Sequence, residues 1–183
     1  MTQPFLVDWV TNNSWLVWAL LFAAIVILLI LIWTRQRFPL NIILLFVFTL
    51  IEACTVGVGV TAFQSYVVIK AFFTTFCMFA FLTMFTLQGR FEFEGLGPYL
   101  FGGLGVLIFG STIQAVYPYD SAAQLVFSLI GCLIFMMFIV YDTHKILTRL
   151  SPDEYVIGAI ELYLDILNLF VYTLDILSGG SRR

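Results

Sequence analysis

Five polar residues near the C-terminus fall at regular steps: Glu161, Asp165, Asn168, Tyr172 and Asp175 are separated by 4, 3, 4 and 3 positions. At 100° per residue they occupy an arc of about 80° on one helix. The residues between them, such as Ile166, Leu167, Leu169, Phe170 and Val171, are apolar. A row of carboxylates, an amide and a phenol can relay protons or carry a hard cation such as Ca²⁺, which takes oxygen ligands. Asp142 closes the preceding apolar run. If Asp142 meets Asp165, two carboxylates in a low-dielectric site cannot both ionise cheaply, and they share a proton. Such a pair holds protons or Ca²⁺ and senses pH, which makes Asp142 and Asp165 the candidate ion-pathway and metal-ligating residues. Plainer readings stand beside these. Lys145 and Arg149 follow Asp142 at helical spacing and can screen it. Asn168 and Tyr172 can simply hydrogen-bond neighbouring helices. Glu52, with Thr49 and Thr55 on its helix, either bonds locally or lines the same cavity. His144 either modulates Asp142 or is solvated.

The setting makes these groups informative. Of 183 residues, 62% are hydrophobic and only 10% are charged, with a mean hydropathy of +1.05. Ordinary soluble domains are about 45–50% apolar and about 25% charged, so a soluble enzyme, a nucleic-acid binder and a disordered chain are excluded. A helix needs about 20 apolar residues to cross the hydrocarbon core. Six stretches qualify: 14–33, 39–60, 66–87, 97–117, 122–141 and 155–177. They are continuous rather than alternating, which excludes a barrel. The prediction is an all-α integral membrane protein, one bundle of six transmembrane helices in a single domain over residues 1–183. An ionisable side chain inside a span costs roughly 2.5–3.5 kcal/mol, so the stripe on the last helix must face the interior. Cys54, Cys77 and Cys132 all sit in apolar runs and suggest no disulfide framework.

Local signals organise the remainder. Ser151, Pro152 and Glu154 read as a capping box opening the last helix. Arg35, Arg37, Arg90, Lys145 and Arg149 gather on one side of the spans, and Lys70, Arg182 and Arg183 on the other. That bias puts the first group in the cytoplasm and both termini outside. Arg35 is then either an ordinary anchor or a partner for an acid. Asn12, in the sequon NNS, lies too close to the membrane for modification. Gly57, Gly59, Gly102, Gly103, Gly105 and Gly110 let helix backbones approach closely. One geometric demand remains. In a straight hairpin turning near Leu150, Asp142 and Asp165 are offset by about 10 Å along the axis. An irregular 145–151 linker or tilted helices must close that gap.

The runs VYDTHKIL and SPDEYVIGAIELYLDILNLF, together with PLNIILLFVFTL in the second span, resemble the transmembrane Bax-inhibitor-motif family, the Lifeguard-like proteins. The resemblance extends from about Trp15 to Leu177. It implies a helical bundle with the last helix central and a pH-sensitive calcium leak from an internal store or across a bacterial plasma membrane. For eukaryotic members it also implies protection from cell death. The family's two pore aspartates match Asp142 and Asp165, and a basic latch residue matches Arg35. Family members usually have seven spans; the run 14–33 corresponds to the second, so the expectation is a shortened isoform, a misplaced start or a true six-span member.

The functional expectation is a pH-sensitive calcium leak gated by Asp142 and Asp165, with calcium as cargo, no cofactor and no nucleic-acid partner. Calcium homeostasis and negative regulation of apoptosis follow from the resemblance. Lipid and cell-death regulatory membrane proteins are the expected partners, and an endoplasmic reticulum, Golgi or vacuolar membrane the expected location. The rival reading is a membrane scaffold that regulates cell death without conduction. An intramembrane aspartyl protease would also pair two acids. Here the second Asp sits in YLDIL rather than GxGD, and no PAL motif follows, so no enzymatic activity is expected.

Overall fold

The computed structural model describes residues 15–89, 93–151 and 154–179, without the side chains of Leu16, Val17 and Glu94. Asn12, Arg90, Pro152, Asp153, Arg182 and Arg183 lie outside the described residues. Among the described residues six long helices follow one another: α1 (Trp15–Trp33), α2 (Leu40–Val60), α3 (Ser65–Leu87), α4 (Gly97–Val116), α5 (Ser121–Thr148) and α6 (Tyr155–Leu177). A 3₁₀ turn, Glu94–Leu96, leads into α4. No strand occurs among the described residues. The six predicted runs are thus the six helices, and the fold is that of an all-α membrane protein. Five of them, α2 to α6, are long and apolar enough to cross a membrane. The remaining apolar helix is shorter over its described side chains, Trp18–Trp33.

Local chemistry sets the helix limits. Pro98 stands in the first turn of α4, where its missing N–H costs nothing. The Asp120 carboxylate caps α5 by accepting from the Ala123 N–H at 3.1 Å. The fifth helix runs seven residues past its predicted end at Tyr141, because the segment from Asp142 to Thr148 contains no Gly or Pro to interrupt it. Its 28 residues span about 42 Å at 1.5 Å each. Lys145 in its last turn complements the helix dipole. Pro152 then disfavours helix in the residue before it. The last helix starts at Tyr155, later than the capping box suggested. Ser151 and Glu154 still meet: the Ser151 hydroxyl donates to Glu154 Oε2 at 3.3 Å, and the Glu154 N–H to the Ser151 carbonyl at 2.9 Å. The pair closes a turn ahead of the helix.

The chain divides into two compact units. The first holds the described residues of Met1–Ser65 and of Ser151–Ile160. Here α1 packs on α2, with Leu31 and Phe48 fully buried. Asn41, also buried, ties the linker down: its Nδ2 donates to the Arg35 carbonyl at 2.9 Å and to the Tyr155 hydroxyl at 3.5 Å. The second unit takes the described residues of Tyr66–Leu150 and of Glu161–Arg182. Its core is Leu107, Cys132, Phe135, Ile139 and Leu169, with Met78, Phe79 and Leu82 of α3 packed against it. Outside that core many large apolar side chains are exposed, among them Phe72, Phe101, Phe109 and Leu133. Patches of this kind belong against acyl chains, not water.

Candidate functional site

In the second unit, α5 and α6 present matching polar rows. Lys145 and Asp142 lie near the end of α5; Glu161, Asp165 and Asn168 descend the first part of α6. Lys145 Nζ donates to Glu161 Oε1 at 2.6 Å. Asp142 and Asp165 are both buried, and their carboxyl groups lie close enough to interact directly. Glu161 and Lys145 also act electrostatically on both aspartates. The extension of α5 to Thr148 moves the turn beyond Leu150. On a straight hairpin centred on 149–154 the axial offset of the two aspartates falls to about 6 Å, which side-chain reach and helix tilt cover.

These groups line a cavity of about 520 Å³. Its polar wall is Tyr141, Asp142, Lys145, Glu161, Asp165 and Asn168; its apolar wall is Pro98, Phe101 and Leu104 of α4 with Phe135, Phe138 and Leu164. Two carboxylate oxygens, Asp165 Oδ2 and Glu161 Oε2, are buried without a hydrogen-bond partner. Buried polar atoms are ordinarily bonded. These two are therefore acceptors available to water, a proton or a cation. Three acids stand against one base, so the site attracts positive charge. Among the described residues no group of three or more His, Cys, Asp or Glu side chains forms a metal cage.

The rest of the predicted stripe behaves differently. Asn168 reaches the cavity wall but donates to its own helix, to the Leu164 carbonyl at 2.8 Å. Tyr172 lies one turn further on, stacked on Phe135 with ring centroids 5.8 Å apart and edge-on to Phe127 at 6.2 Å. Asp175 is buried; its Oδ2 accepts from Gln124 Nε2 at 2.6 Å and from Ser128 Oγ at 3.1 Å. Gln124 also bonds Gln114 of α4. So the stripe faces inward throughout, as its arc requires, yet only its first half opens on space.

Arg35 and Glu52 belong to the first unit. Arg35 pairs with Glu154 at 3.7 Å, both side chains partly exposed. Glu52 is half-buried on α2, and neither threonine beside it is its partner. Thr49 donates to the Phe46 carbonyl and Thr55 to that of Ile51. His144 packs edge-on against Phe93 at 5.7 Å.

Gln124, Ser128, Gly131 and Phe135 did not stand out in the sequence, though a signal was present. Gln124, Ser128, Gly131, Phe135, Phe138, Asp142 and Lys145 advance by 4, 3, 4, 3, 4 and 3. This is the same seven-residue period as the row on α6, the repeat by which two helices keep one seam together. Read antiparallel, the rows pair Lys145 with Glu161, Asp142 with Asp165, Phe135 with Tyr172, and Gln124 and Ser128 with Asp175. Each of these pairs is in contact.

Long apolar helices, with a buried carboxylate pair at a cavity between two of them, define a multi-pass membrane protein. The chain belongs to the family described as "Inhibitor of apoptosis-promoting Bax1", which matches residues 1–183. It is 42% identical to mouse Protein lifeguard 4 over 149 residues, 81% of this chain and 62% of that protein. It is 40% identical to the Golgi anti-apoptotic protein of vaccinia virus, covering 92% of this chain and 70% of the relative. To Bax inhibitor 1 of Schizosaccharomyces pombe it is 36% identical, with 96% and 66% covered. The chain thus spans about two thirds of the length of these relatives.

Proposed function

We propose that this chain provides a proton-sensitive leak for calcium across an intracellular membrane, with Asp142 and Asp165 as the site that binds the ion and senses pH. The observation that carries the reading is the buried carboxylate pair at the edge of a cavity, with Asp165 Oδ2 left unbonded. Ionised, the pair attracts a divalent cation. Protonated, it loses that charge, so flux falls as pH falls. Lys145, bound to Glu161, limits the excess negative charge, and the facing wall of Pro98, Phe101 and Leu104 offers the ion no competing ligand. Calcium is cargo here; no cofactor, catalytic step or nucleic-acid partner is invoked. The relatives' names, Lifeguard, Bax inhibitor and Golgi anti-apoptotic protein, support a physiological role in restraining apoptosis, and in this scheme the leak acts through the calcium content of a store. Arg35, paired with Glu154, is the candidate latch of this scheme.

The experiment is calcium flux through proteoliposomes across a pH series, wild type beside Asp165→Asn and Asp142→Asn. Wild type is expected to leak more at neutral than at acidic pH, and each variant to flatten that profile. Flux unchanged in both variants rejects the site. A second reading has its own observation. The far half of the stripe is internally bonded, with Asp175 held by Gln124 and Ser128. This suits a structural seam in a scaffold that regulates cell-death membrane proteins without conducting. Rescue of cell survival by a folded Asp142→Asn/Asp165→Asn variant favours that scaffold.

A further inference from the structure

The seam holds two polar compartments separated by one aromatic layer. On one side is the cavity bounded by Asp142, Asp165 and Asn168. On the other is the knot of Asp175 with Gln124 and Ser128. Between them stands Tyr172, four residues or about 6 Å beyond Asn168 along α6. Its ring stacks on Phe135, which is itself part of the cavity wall, and meets Phe127 edge-on. It also lies over the bare backbone of Gly131, where a Cβ would come within 2.5 Å of the ring. Its hydroxyl interacts with Ser111 of α4. One side chain therefore touches α4 and α5 from α6, the three helices that line the cavity. Asp175 acts on Tyr172 electrostatically from the far side, and the ring fills the cleft between the two compartments.

We propose that Tyr172 is the gate of the cleft: a dry aromatic layer, seated on Gly131 and Phe135, that separates the cavity from the Asp175 compartment. An apolar constriction shuts a pore by excluding water, with no charge needed. Movement of the Tyr172 ring off Gly131 joins the two compartments into one polar path along α6. The inference rests on the leak reading above, and adds to it where the path is closed and by which group.

The test compares calcium leak from proteoliposomes for wild type, Tyr172→Phe, Tyr172→Leu and Tyr172→Ala, the last also combined with Asp165→Asn. Tyr172→Phe keeps the ring and is expected to leak as wild type does. Leak is expected to rise several-fold as the side chain shrinks from Phe through Leu to Ala, and to return toward background when Asp165→Asn is added. Tyr172→Leu preserves apolar packing and carries the comparison if Tyr172→Ala does not fold. Leak that depends on Asp165 yet ignores the size of residue 172 overturns the gate and leaves the leak reading intact. Leak raised by Tyr172→Ala but indifferent to Asp165→Asn marks a non-specific hole and also overturns the gate. Absence of flux from wild type and all variants removes both.

Discussion

Asp175 and Asp165 are two carboxylates of one helix with opposite circumstances. The side-chain donors of Gln124 and Ser128 both reach Asp175 Oδ2, whereas Asp165 keeps an oxygen with no partner. The first is an element of structure and the second a group in waiting. Removing Asp175 leaves two buried donors without an acceptor, and an orphaned buried group costs about 1–3 kcal/mol. Asp175→Ala is therefore expected to lower stability by that amount in a thermal or denaturant melt in detergent, while Asp165→Asn, whose amide can still bond the Asp142 carboxyl group, melts closer to wild type. The acids themselves were legible in the sequence, since four steps of 4 and 3 place them on one face. Which acid is bonded and which is open was not. That depends on whether the facing helix offers an amide, a hydroxyl or another carboxylate at the same height.

The helices bring these side chains together by a shared period. The rows on α5 and α6 both repeat every seven residues, which lets two antiparallel helices stay in register from Lys145 and Glu161 to Gln124 and Asp175. Gly131 is the narrow point of that seam. Gly131→Val is expected to push Tyr172 off its seat, and overpacking of this kind costs about 1–3 kcal/mol. Gly102 is the contrast. Nothing described lies within 4 Å of a Cβ placed there, so Gly102→Ala is expected to be neutral or stabilising by up to about 1 kcal/mol, the gain in helix propensity. Paired melting curves of the two variants check both values. Of the glycines the sequence suggested for close packing, Gly110 meets Phe127 and Gly103 meets Ile134, while Gly57, Gly59, Gly102 and Gly105 face open space. A glycine pattern marks where helices can approach, and only the neighbour decides whether they do.

At the scale of the whole molecule, the solvent is the organising fact. Phe109 of α4 is 71% exposed, a position that in water would favour aggregation and in a bilayer is ordinary. A charge at such a site costs roughly 2.5–3.5 kcal/mol at mid-membrane. Phe109→Arg is expected to reduce membrane insertion of α4 in a translocon insertion assay, whereas Phe109→Leu inserts as wild type does.

Composition and the lengths of the apolar runs determined by themselves that the chain is helical, where its helices lie and that the acids of α6 turn inward. These are one-dimensional consequences: hydrocarbon sets a length, backbone hydrogen bonding demands a helix, and the cost of charge chooses a face. The tertiary structure alone decided that Lys145 takes Glu161 and that Asp142 and Asp165 adjoin at the edge of a cavity. It alone placed Tyr172 to interrupt the stripe. Those outcomes depend on the relative height of two helices, set by how side chains such as Phe135 and Tyr172 stack across the seam, and no property of either helix taken singly contains it.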